Sequence, residues 1–264
     1  MGDKLQVLVT NDDGPHAPAL ALMREAFSLF ADVVVVVPER PRSACGHAVT
    51  LHKPLRLNEH KGTDGSSLFT CNGFPSDCVT LGAEHLCSRT PDVVVSGINQ
   101  GANLGDDVTY SGTVAGAMEA IVFGMKGFSI SVTAHEDPRV DVAVPFAARL
   151  VRLIAERGLP ERTLLNVNVP NCAPADVQGV VLTRLGRRSY RGSAEKRTEP
   201  RGGVYYWRSG HLPDFQADPG TDLAAIAENK ISVTPLSLDL TAVEAFGEFA
   251  AWELGWTELP ADLP

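Results

Sequence analysis

Runs rich in valine alternate with helix-like apolar stripes along this chain, and this alternation restricts the possible fold more than any other feature. The runs that predict β-strands are residues 7–9, 32–38 ("DVVVVVP"), 91–99 ("PDVVVSGIN"), 128–132 ("FSISV"), 164–170 ("LLNVNVP") and 231–236 ("ISVTPL"). Apolar side chains at helical spacing predict helices from residue 17 onwards, over 111–125 and over 144–158. Strands that are apolar throughout are typical of parallel sheets covered on both faces. The pattern therefore predicts an α/β fold, a doubly wound, mostly parallel Rossmann-like sheet with helices on both faces.

Two segments lie outside this pattern. Residues 184–208 hold eight Lys or Arg and two Glu, although the whole chain has a net charge of −9. A Gly-Gly turn beside aromatic residues in "RGGVYYWR" indicates an extended hairpin arm. Residues 240–252 carry an apolar face and predict a C-terminal helix that packs on its own body or on a second subunit. We therefore divide the chain into an α/β core (1–183), a basic arm (184–222), and a last core strand with the C-terminal helix (223–264).

The composition argues against several classes of protein. The chain of 264 residues, 44% of them hydrophobic, is long enough for one large core. The negative net charge argues against a stable nucleic-acid partner. The apolar run at 33–37 is too short to span a bilayer, and the N-terminus has no signal-peptide pattern. The five cysteines form no C-x-x-C pair and are interpreted as reduced thiols. We expect a cytoplasmic protein without a membrane partner.

Three polar clusters directly follow predicted strands. They read "TNDDG", "PERPRSACGH" and "SGINQGANLGDDVTYSGT". In an open parallel sheet, ligands bind beyond the carboxyl ends of the strands, near the switch in strand order. Because the three clusters occupy equivalent points of the predicted topology, we expect them to build one site.

Asp12 and Asp13 follow the first strand in a turn marked by Gly14 and Pro15. A turn can aim both carboxylates at one point, where they repel each other unless a proton or a cation lies between them. A divalent cation such as Mg²⁺ or Mn²⁺ would remove that repulsion and accept oxygen ligands. The alternative is a turn whose side chains cap the backbone. The location at the end of a parallel strand favours the metal.

The third cluster has the features of a site for metal and phosphate. Asn99 offers an amide oxygen just past its strand, and neighbouring glycines allow close approach of the backbone. Ser111 fits as an N-cap, with Gly112 and Thr113 in the first helical turn. A helix N-terminus with free N–H groups attracts phosphate. An ordinary capped helix beside a glycine loop is the alternative.

Other known motifs are absent from the sequence. It contains no P-loop and no strand followed by G-x-G-x-x-G, which argues against P-loop NTPases and dinucleotide-dependent oxidoreductases. It also lacks a G-x-S-x-G elbow and any zinc spacing of histidines. His16 and His47 lie in the polar clusters and are interpreted as structural or rim residues. Asp106 and Asp107 are interpreted as structural, because acids so close to a bound phosphate would repel it.

Five segments, in order along residues 5–240, carry a family resemblance. They are "VTNDDGPHAPAL", "VVPERPRSACGHAVTL", "FPSDCV", "DVVVSGINQGANLGDDVTYSGTVAGAMEA" and "ISVTPLSLDLT". These segments resemble the SurE (survival protein E) family of metal-dependent 5'-nucleotidases, which act as nucleoside monophosphate phosphatases. The resemblance implies hydrolysis of nucleoside 5'-monophosphates, with 3'-monophosphates as further candidate substrates. The basic arm adds polyphosphate as a candidate, because it would guide long anions to the site; a solvated arm at a dimer interface is the alternative explanation of its charge. The resemblance also implies a homodimer or homotetramer in which the arm and the C-terminal helix are exchanged between subunits.

The same resemblance implies roles for individual residues. One divalent ion per subunit, Mg²⁺ or Mn²⁺, would be bound by Asp12, Asp13, Ser43 and Asn99. The residues around the phosphate would be Asn103, Ser111, Gly112 and Thr113. The residues implied in catalysis are Asp12, Asp13 and Asn103.

The chain departs from the family pattern at few positions, and a rival function stays open. Ala44 replaces a common Gly, and Phe74 replaces a common Thr at a place where it would reshape the nucleoside pocket or fill the core. The rival function is a non-catalytic nucleotide or metal sensor. The intact set of implied ligands argues against this rival. The sequence does not identify a general base. An aspartate acting on water is favoured over an aspartyl-phosphate, because phosphatases of the latter type use Asp-x-Asp.

Overall fold

The computed structural model describes residues 4–62, 66–189, 194–207, 214–215 and 217–252. Its strands are β1 (Leu5–Thr10), β2 (Ala31–Pro38), β3 (Leu57–Lys61), β4 (Ser67–Cys71), β5 (Val93–Gln100), β6 (Gly127–Val132), β7 (Thr163–Val169), β8 (Val180–Leu182), β9 (Arg188–Ser189), β10 (Glu195–Thr198), β11 (Val204–Trp207), β12 (Asp214–Phe215) and β13 (Ile231–Ser237). Its α-helices are α1 (Pro18–Ser28), α2 (Pro75–Leu81), α3 (Gly112–Val122), α4 (Ala143–Arg157), α5 (Asp222–Ala227) and α6 (Phe246–Ala250). All six predicted strands are present among them.

Nine strands form one sheet in the order β3-β4-β2-β1-β5-β6-β7-β13-β8. Neighbouring strands from β4 to β7 in that order are parallel, whereas β3 is antiparallel to β4 and β13 is antiparallel to β7. The chain extends the sheet from β1 to β2 on one side and from β5 to β6 and β7 on the other. The strand order therefore switches between β1 and β5, where doubly wound proteins bind ligands. The predicted fold class is confirmed.

Helices cover both faces of the sheet. Along β1, Val7 and Val9 belong to a core that contains Met23 and Phe27 of α1, and α4 packs into the same core. Leu8 belongs to a second core, which contains residues of α2. Successive side chains of a strand point to opposite faces, so a strand covered on both sides is apolar at every position. This explains the uninterrupted valine runs.

A row of buried polar side chains crosses the sheet from β1 to β13. Thr10 lies opposite Ser96, and Ser96 lies opposite Ser129. Ser129 lies opposite Asn166, and Asn166 lies opposite Thr234. Each of these five residues is at most 1% exposed. This polar row begins at the last residue of β1 and so runs beside the strand ends where a ligand is expected.

The arm and the tail differ from the core. β10 and β11 form an antiparallel hairpin with exposed residues, which confirms the hairpin predicted within the arm. The helix predicted over 240–252 is wrong in length, because a 3-10 turn (Val243–Ala245) precedes α6, which has five residues. No side chain caps the N-terminus of α6 and Gly247 lies inside it, and both features weaken a helix.

Some predictions for these segments lie outside the described residues. These are the parts at 190–193, 208–213, 216 and 253–264, so the three domain boundaries remain predictions. Within the described ranges, no helix has the length and apolarity needed to cross a membrane.

Candidate metal and phosphate site

A cleft with a volume of about 520 Å³ lies at the carboxyl ends of β1 and β5. Its walls come from the loops that follow β1, β2, β5 and β6. The lining residues are Asp12, Asp13, Ser43, Ala44, Asn99, Gln100, Gly101, Ala102, Asn103, Asp107, Tyr110, Ser111, Thr133 and His135. Six of the eight residues singled out in the sequence therefore meet in one cleft. The other two, Gly112 and Thr113, lie behind its wall.

Asp12 is held at the N-terminus of α3. The Thr113 hydroxyl donates a hydrogen bond of 2.6 Å to Asp12 Oδ1, and Asp12 is only 6% exposed. Gly112 permits this approach, because a Cβ atom there would lie 2.9 Å from Asp12 Cβ and 2.7 Å from Cys45 Sγ. The Thr113 side chain is fully buried. Its hydroxyl therefore binds the carboxylate and is not presented to the cleft.

The electrostatics of the two acids favour a bound cation or a proton. Burial raises the pKa of Asp12 from 3.8 to about 6; the Thr113 hydrogen bond opposes this shift, and the charge of Asp13 adds to it. Burial also raises the pKa of Asp13, against the opposing effects of the Gln100 N–H, 3.4 Å from Asp13 Oδ2, and of His135. Two neighbouring carboxyl groups with raised pKa values indicate a place where a positive charge would be stabilising.

Ser43 and Asn99 add further oxygen donors to the cleft. The Arg42 N–H donates to the Asp12 carbonyl over 2.7 Å, which ties the Ser43 loop to the acidic turn. Asn99 Nδ2 donates to the Gly101 carbonyl over 2.8 Å, so the other end of the amide, Oδ1, is left as an acceptor. Within the part of the chain that is described, no three His, Cys, Asp or Glu residues group as metal ligands. A metal here needs the hydroxyl and amide oxygens, and such an all-oxygen donor set fits Mg²⁺ or Mn²⁺.

Asn103 and Ser111 lie on the wall where phosphate binding is expected. Ser111 Oγ accepts the Val114 N–H over 3.0 Å, so the predicted N-cap is confirmed. The hydroxyl hydrogen of Ser111 remains for a ligand. Asn103 is 7% exposed, and its Nδ2 donates to Ser131 Oγ over 2.8 Å. Ser111 lies at the N-terminus of α3, whose dipole attracts anions, and Asn103 lines the same cleft.

Several lining residues were missed by sequence reasoning. Thr133 and His135 belong to the loop after β6, and Tyr110 directly precedes the N-cap of α3. The signal for Thr133 and His135 was topological, since β6 was predicted and its carboxyl end lies at the same edge of the sheet. Asp107, interpreted as structural, also lines the cleft.

Three other residues singled out in the sequence lie away from the cleft. His16 lines a separate cavity, and His47 Nε2 lies 2.7 Å from Glu119 Oε2, in agreement with structural or rim roles. Phe74 lies beneath Arg42, whose guanidinium carbon is 5.1 Å from the centre of the ring. Phe74 therefore supports the loop that carries Ser43 and is not part of the cleft wall.

Comparison with known proteins identifies the family of this chain. Residues 7–192 match the family described as survival protein SurE. The 5'-nucleotidase SurE of Geobacter sulfurreducens is 45% identical over 251 residues, which are 95% of this chain and 94% of that protein. The 5'-nucleotidase SurE of Chloroflexus aggregans is 47% identical over 251 residues, 94% of this chain and 99% of that protein. The crystal structure of the SurE protein from Aquifex aeolicus matches with a TM-score of 0.81 and 38% identity, over 94% of this chain and 99% of that one. This chain belongs to the SurE family.

Proposed function

We propose that this protein is a divalent-metal-dependent phosphomonoesterase that hydrolyses nucleoside 5'-monophosphates to nucleoside and phosphate. The observation that carries the proposal is the pair of neighbouring carboxyl groups, Asp12 and Asp13, with raised pKa values beside the N-terminus of α3. Relatives named 5'-nucleotidase SurE, at 41% to 47% identity over nearly the whole chain, support the class of substrate.

In this proposal one Mg²⁺ or Mn²⁺ ion is held by oxygen atoms of Asp12, Asp13, Ser43 and Asn99. When bound, the ion supplies positive charge that offsets the repulsion between the acids and polarises a phosphoryl oxygen. Thr113 and the first turn of α3 hold Asp12 in position in advance, through the hydrogen bond to its Oδ1. The chain therefore prepares the carboxylate geometry before an ion arrives.

The phosphate of the substrate is bound by hydrogen-bond donors in the same cleft. Asn103 and Ser111 donate hydrogen bonds to its oxygens, and Ser111 lies at the N-terminus of α3. Negative charge that develops on the equatorial oxygens is stabilised by these donors and by the positive end of the helix dipole. Because the donors are already fixed in the folded chain, little reorganisation is needed during the reaction.

Water that attacks phosphorus has to lose a proton. We propose that Asp12 or Asp13 accepts this proton, because both line the cleft. Direct attack by water needs no covalent intermediate on the protein, which agrees with adjacent acids in place of an Asp-x-Asp arrangement.

The test measures phosphate release from nucleoside 5'- and 3'-monophosphates and from polyphosphate, with Mg²⁺, Mn²⁺ or EDTA. Wild type is compared with Asp12→Asn and with Asp32→Asn, which changes an exposed carboxylate. We expect release from 5'-monophosphates with metal, none in EDTA, and a loss of at least about 10²-fold in Asp12→Asn alone. The panel also ranks 3'-monophosphates and polyphosphate as substrates. If folded wild type binds Mn²⁺ but releases no phosphate, the protein is a nucleotide or metal sensor.

We also propose that the subunits assemble as a homodimer or homotetramer through the arm and the tail. Tyr206, Trp207, Phe246 and Trp252 are each more than half exposed in the single chain. Exposed aromatic groups of this size favour burial against a partner surface. Light scattering should give two or four times the mass of one chain, and Trp207→Glu combined with Trp252→Glu should reduce it to one. A monomeric wild type would contradict this assembly.

A further inference from the structure

The backbone of Asn103 is hydrogen-bonded to two asparagine side chains of β7. Asn168 Oδ1 accepts the backbone N–H of Asn103 over 2.9 Å, and Asn168 Nδ2 donates to the carbonyl of Asn103 over 2.9 Å. Asn166 Nδ2 donates to the same carbonyl over 2.8 Å. The N–H and the carbonyl of residue 103 are therefore both bonded to side chains, in the way that a neighbouring β-strand would bond them.

Asn103 and Asn166 form further hydrogen bonds with buried serine side chains of the sheet. Ser129 Oγ donates to Asn166 Oδ1 over 2.8 Å, and Ser131 Oγ accepts from Asn103 Nδ2 over 2.8 Å. Ser129, Ser131, Asn166 and Asn168 are completely buried. A buried polar group costs free energy unless it is hydrogen-bonded, and these side chains avoid that cost by bonding to one another and to Asn103. The arrangement is therefore explained by what it holds in place.

The loop that contains Asn103 needs such a support. Residues 101–104 have no regular secondary structure, and Gly101 and Gly105 on either side of Asn103 have φ angles of 114° and 54°. The backbone of residue 103 therefore has no strand or helix ladder of its own. The side chains from β7 replace that ladder, and they fix the direction from which the Asn103 side chain leaves the backbone.

We propose that Asn168, assisted by Asn166, is the positioning residue for Asn103 in phosphate binding. This inference rests on the proposed function, in which Asn103 stabilises negative charge on the phosphoryl group. A purely structural role and a positioning role give different results. Loss of a structural contact lowers stability and leaves kcat unchanged while the protein is folded. Loss of positioning lowers kcat in the folded protein, because a displacement of about 1 Å costs about 10²-fold in rate.

The test compares Asn168→Leu and Asn166→Leu with Thr234→Val in the presence of Mn²⁺. Leucine keeps the approximate size of asparagine and removes its hydrogen bonds. Thr234→Val is the matched control, because Thr234 belongs to the polar row and is 1% exposed. Its hydroxyl lies 2.7 Å from Thr183 Oγ1, so the control loses a buried hydrogen bond that does not lead to Asn103.

We expect kcat of Asn168→Leu to fall by about 30- to 100-fold, with KM changed by less than about 3-fold. Asn166→Leu removes only one of two donors to the Asn103 carbonyl and should lower kcat by about 3- to 10-fold. Inhibition by orthovanadate should weaken in the same order. The affinity for Mn²⁺, measured by calorimetry, should stay within about 2-fold of wild type, because Asp12, Asp13 and Ser43 belong to other loops and Asn99 is held within β5. Thr234→Val should keep wild-type kcat, whatever its loss of thermal stability.

Hydrogen exchange gives a second readout. Amides of residues 101–105 should exchange faster in Asn168→Leu, while those of α3 keep wild-type rates. Equal kcat values for Asn168→Leu and Thr234→Val would overturn the inference, and so would a parallel loss of Mn²⁺ binding. If Asn168→Leu does not fold, the test rests on Asn166→Leu. A wild-type kcat in Asn166→Leu would then overturn the inference. The proposed function fails separately, if wild type itself releases no phosphate from any monophosphate.

Discussion

At the scale of single residues, the site depends on Asp12, a carboxyl group placed where its charge is disfavoured. Burial raises its pKa from 3.8 to about 6, so the metal-free folded protein keeps a proton between about pH 4 and pH 6 that the unfolded chain releases. The stability of the metal-free protein should therefore fall as pH rises through this window, by about 3 kcal/mol for the whole shift. Thermal unfolding in EDTA should show this fall for wild type, and Asp12→Asn should lose it.

Metal binding should depend on pH in the opposite direction. Added Mn²⁺ should raise the Tm more above pH 6 than below pH 5, because protons compete with the ion for Asp12. Asp32→Asn, which changes an exposed carboxylate, should behave like wild type. The same pH slope in EDTA for wild type and Asp12→Asn would show that Asp12 is not the group responsible.

At the scale of elements, the N-terminus of α3 can hold Asp12 only because its first residue is glycine. Gly112→Ala would place a methyl group 2.7 Å from Cys45 Sγ and 2.9 Å from Asp12 Cβ. We expect an overpacking cost of about 1–3 kcal/mol in unfolding free energy and a loss of Mn²⁺ affinity of about 10-fold or more, because Asp12 has to move. Gly247→Ala is the control, since its Cβ would meet nothing within 4 Å. Calorimetric titration with Mn²⁺ tests this, and unchanged affinity in Gly112→Ala would refute it.

Elements with a repeated apolar pattern could be predicted from the sequence, whereas others carry no such signal. The six valine-rich strands and helices α1, α3 and α4 follow from periodicity, because each buries one face or both. β3 reads "LNEHK" and is largely exposed, and β8 has only three residues. Neither strand therefore has an apolar pattern long enough to be recognised in the sequence. The predicted C-terminal helix had an apolar face, but a face alone does not nucleate a helix without capping.

The candidate site divides in the same way. The acid pair could be found because it directly follows a predicted strand, and Asn99 because it ends one, although the structure extends β5 to Gln100; Ser43 entered through the family resemblance. Asn166 and Asn168 could not be found, because they lie within "LLNVNVP" and read as part of a strand. Their partner, Asn103, is 63 and 65 residues away in sequence. That contact exists only once the sheet has formed, so no local pattern encodes it.

At the scale of the whole molecule, Asp222 joins the loop after β5 to the root of the arm. Its Oδ2 accepts the Gly105 N–H and its Oδ1 accepts the Gly186 N–H, each over 2.8 Å, and the residue is fully buried. Asp222→Ala should leave both N–H groups without an acceptor and lower the unfolding free energy by about 2–4 kcal/mol. Asp222→Asn, which keeps one acceptor oxygen, should lose less. Denaturation in urea measures both changes, and amides at 101–107 and 184–187 should exchange faster together. An Asp222→Ala variant as stable as wild type would contradict this role.

The place of β13 in the sheet determines when the site is completed as the chain is synthesised. All the proposed metal and phosphate ligands have been synthesised once residue 113 has been added. β13, however, is inserted between β7 and β8, although both precede it in the chain. A nascent chain that ends before residue 231 therefore holds its complete ligand set on an unfinished sheet, with β7 still open at one edge. Asn166 and Asn168 acquire their final surroundings only when β13 pairs with β7, so the support of Asn103 is completed well after the ligands themselves have been synthesised.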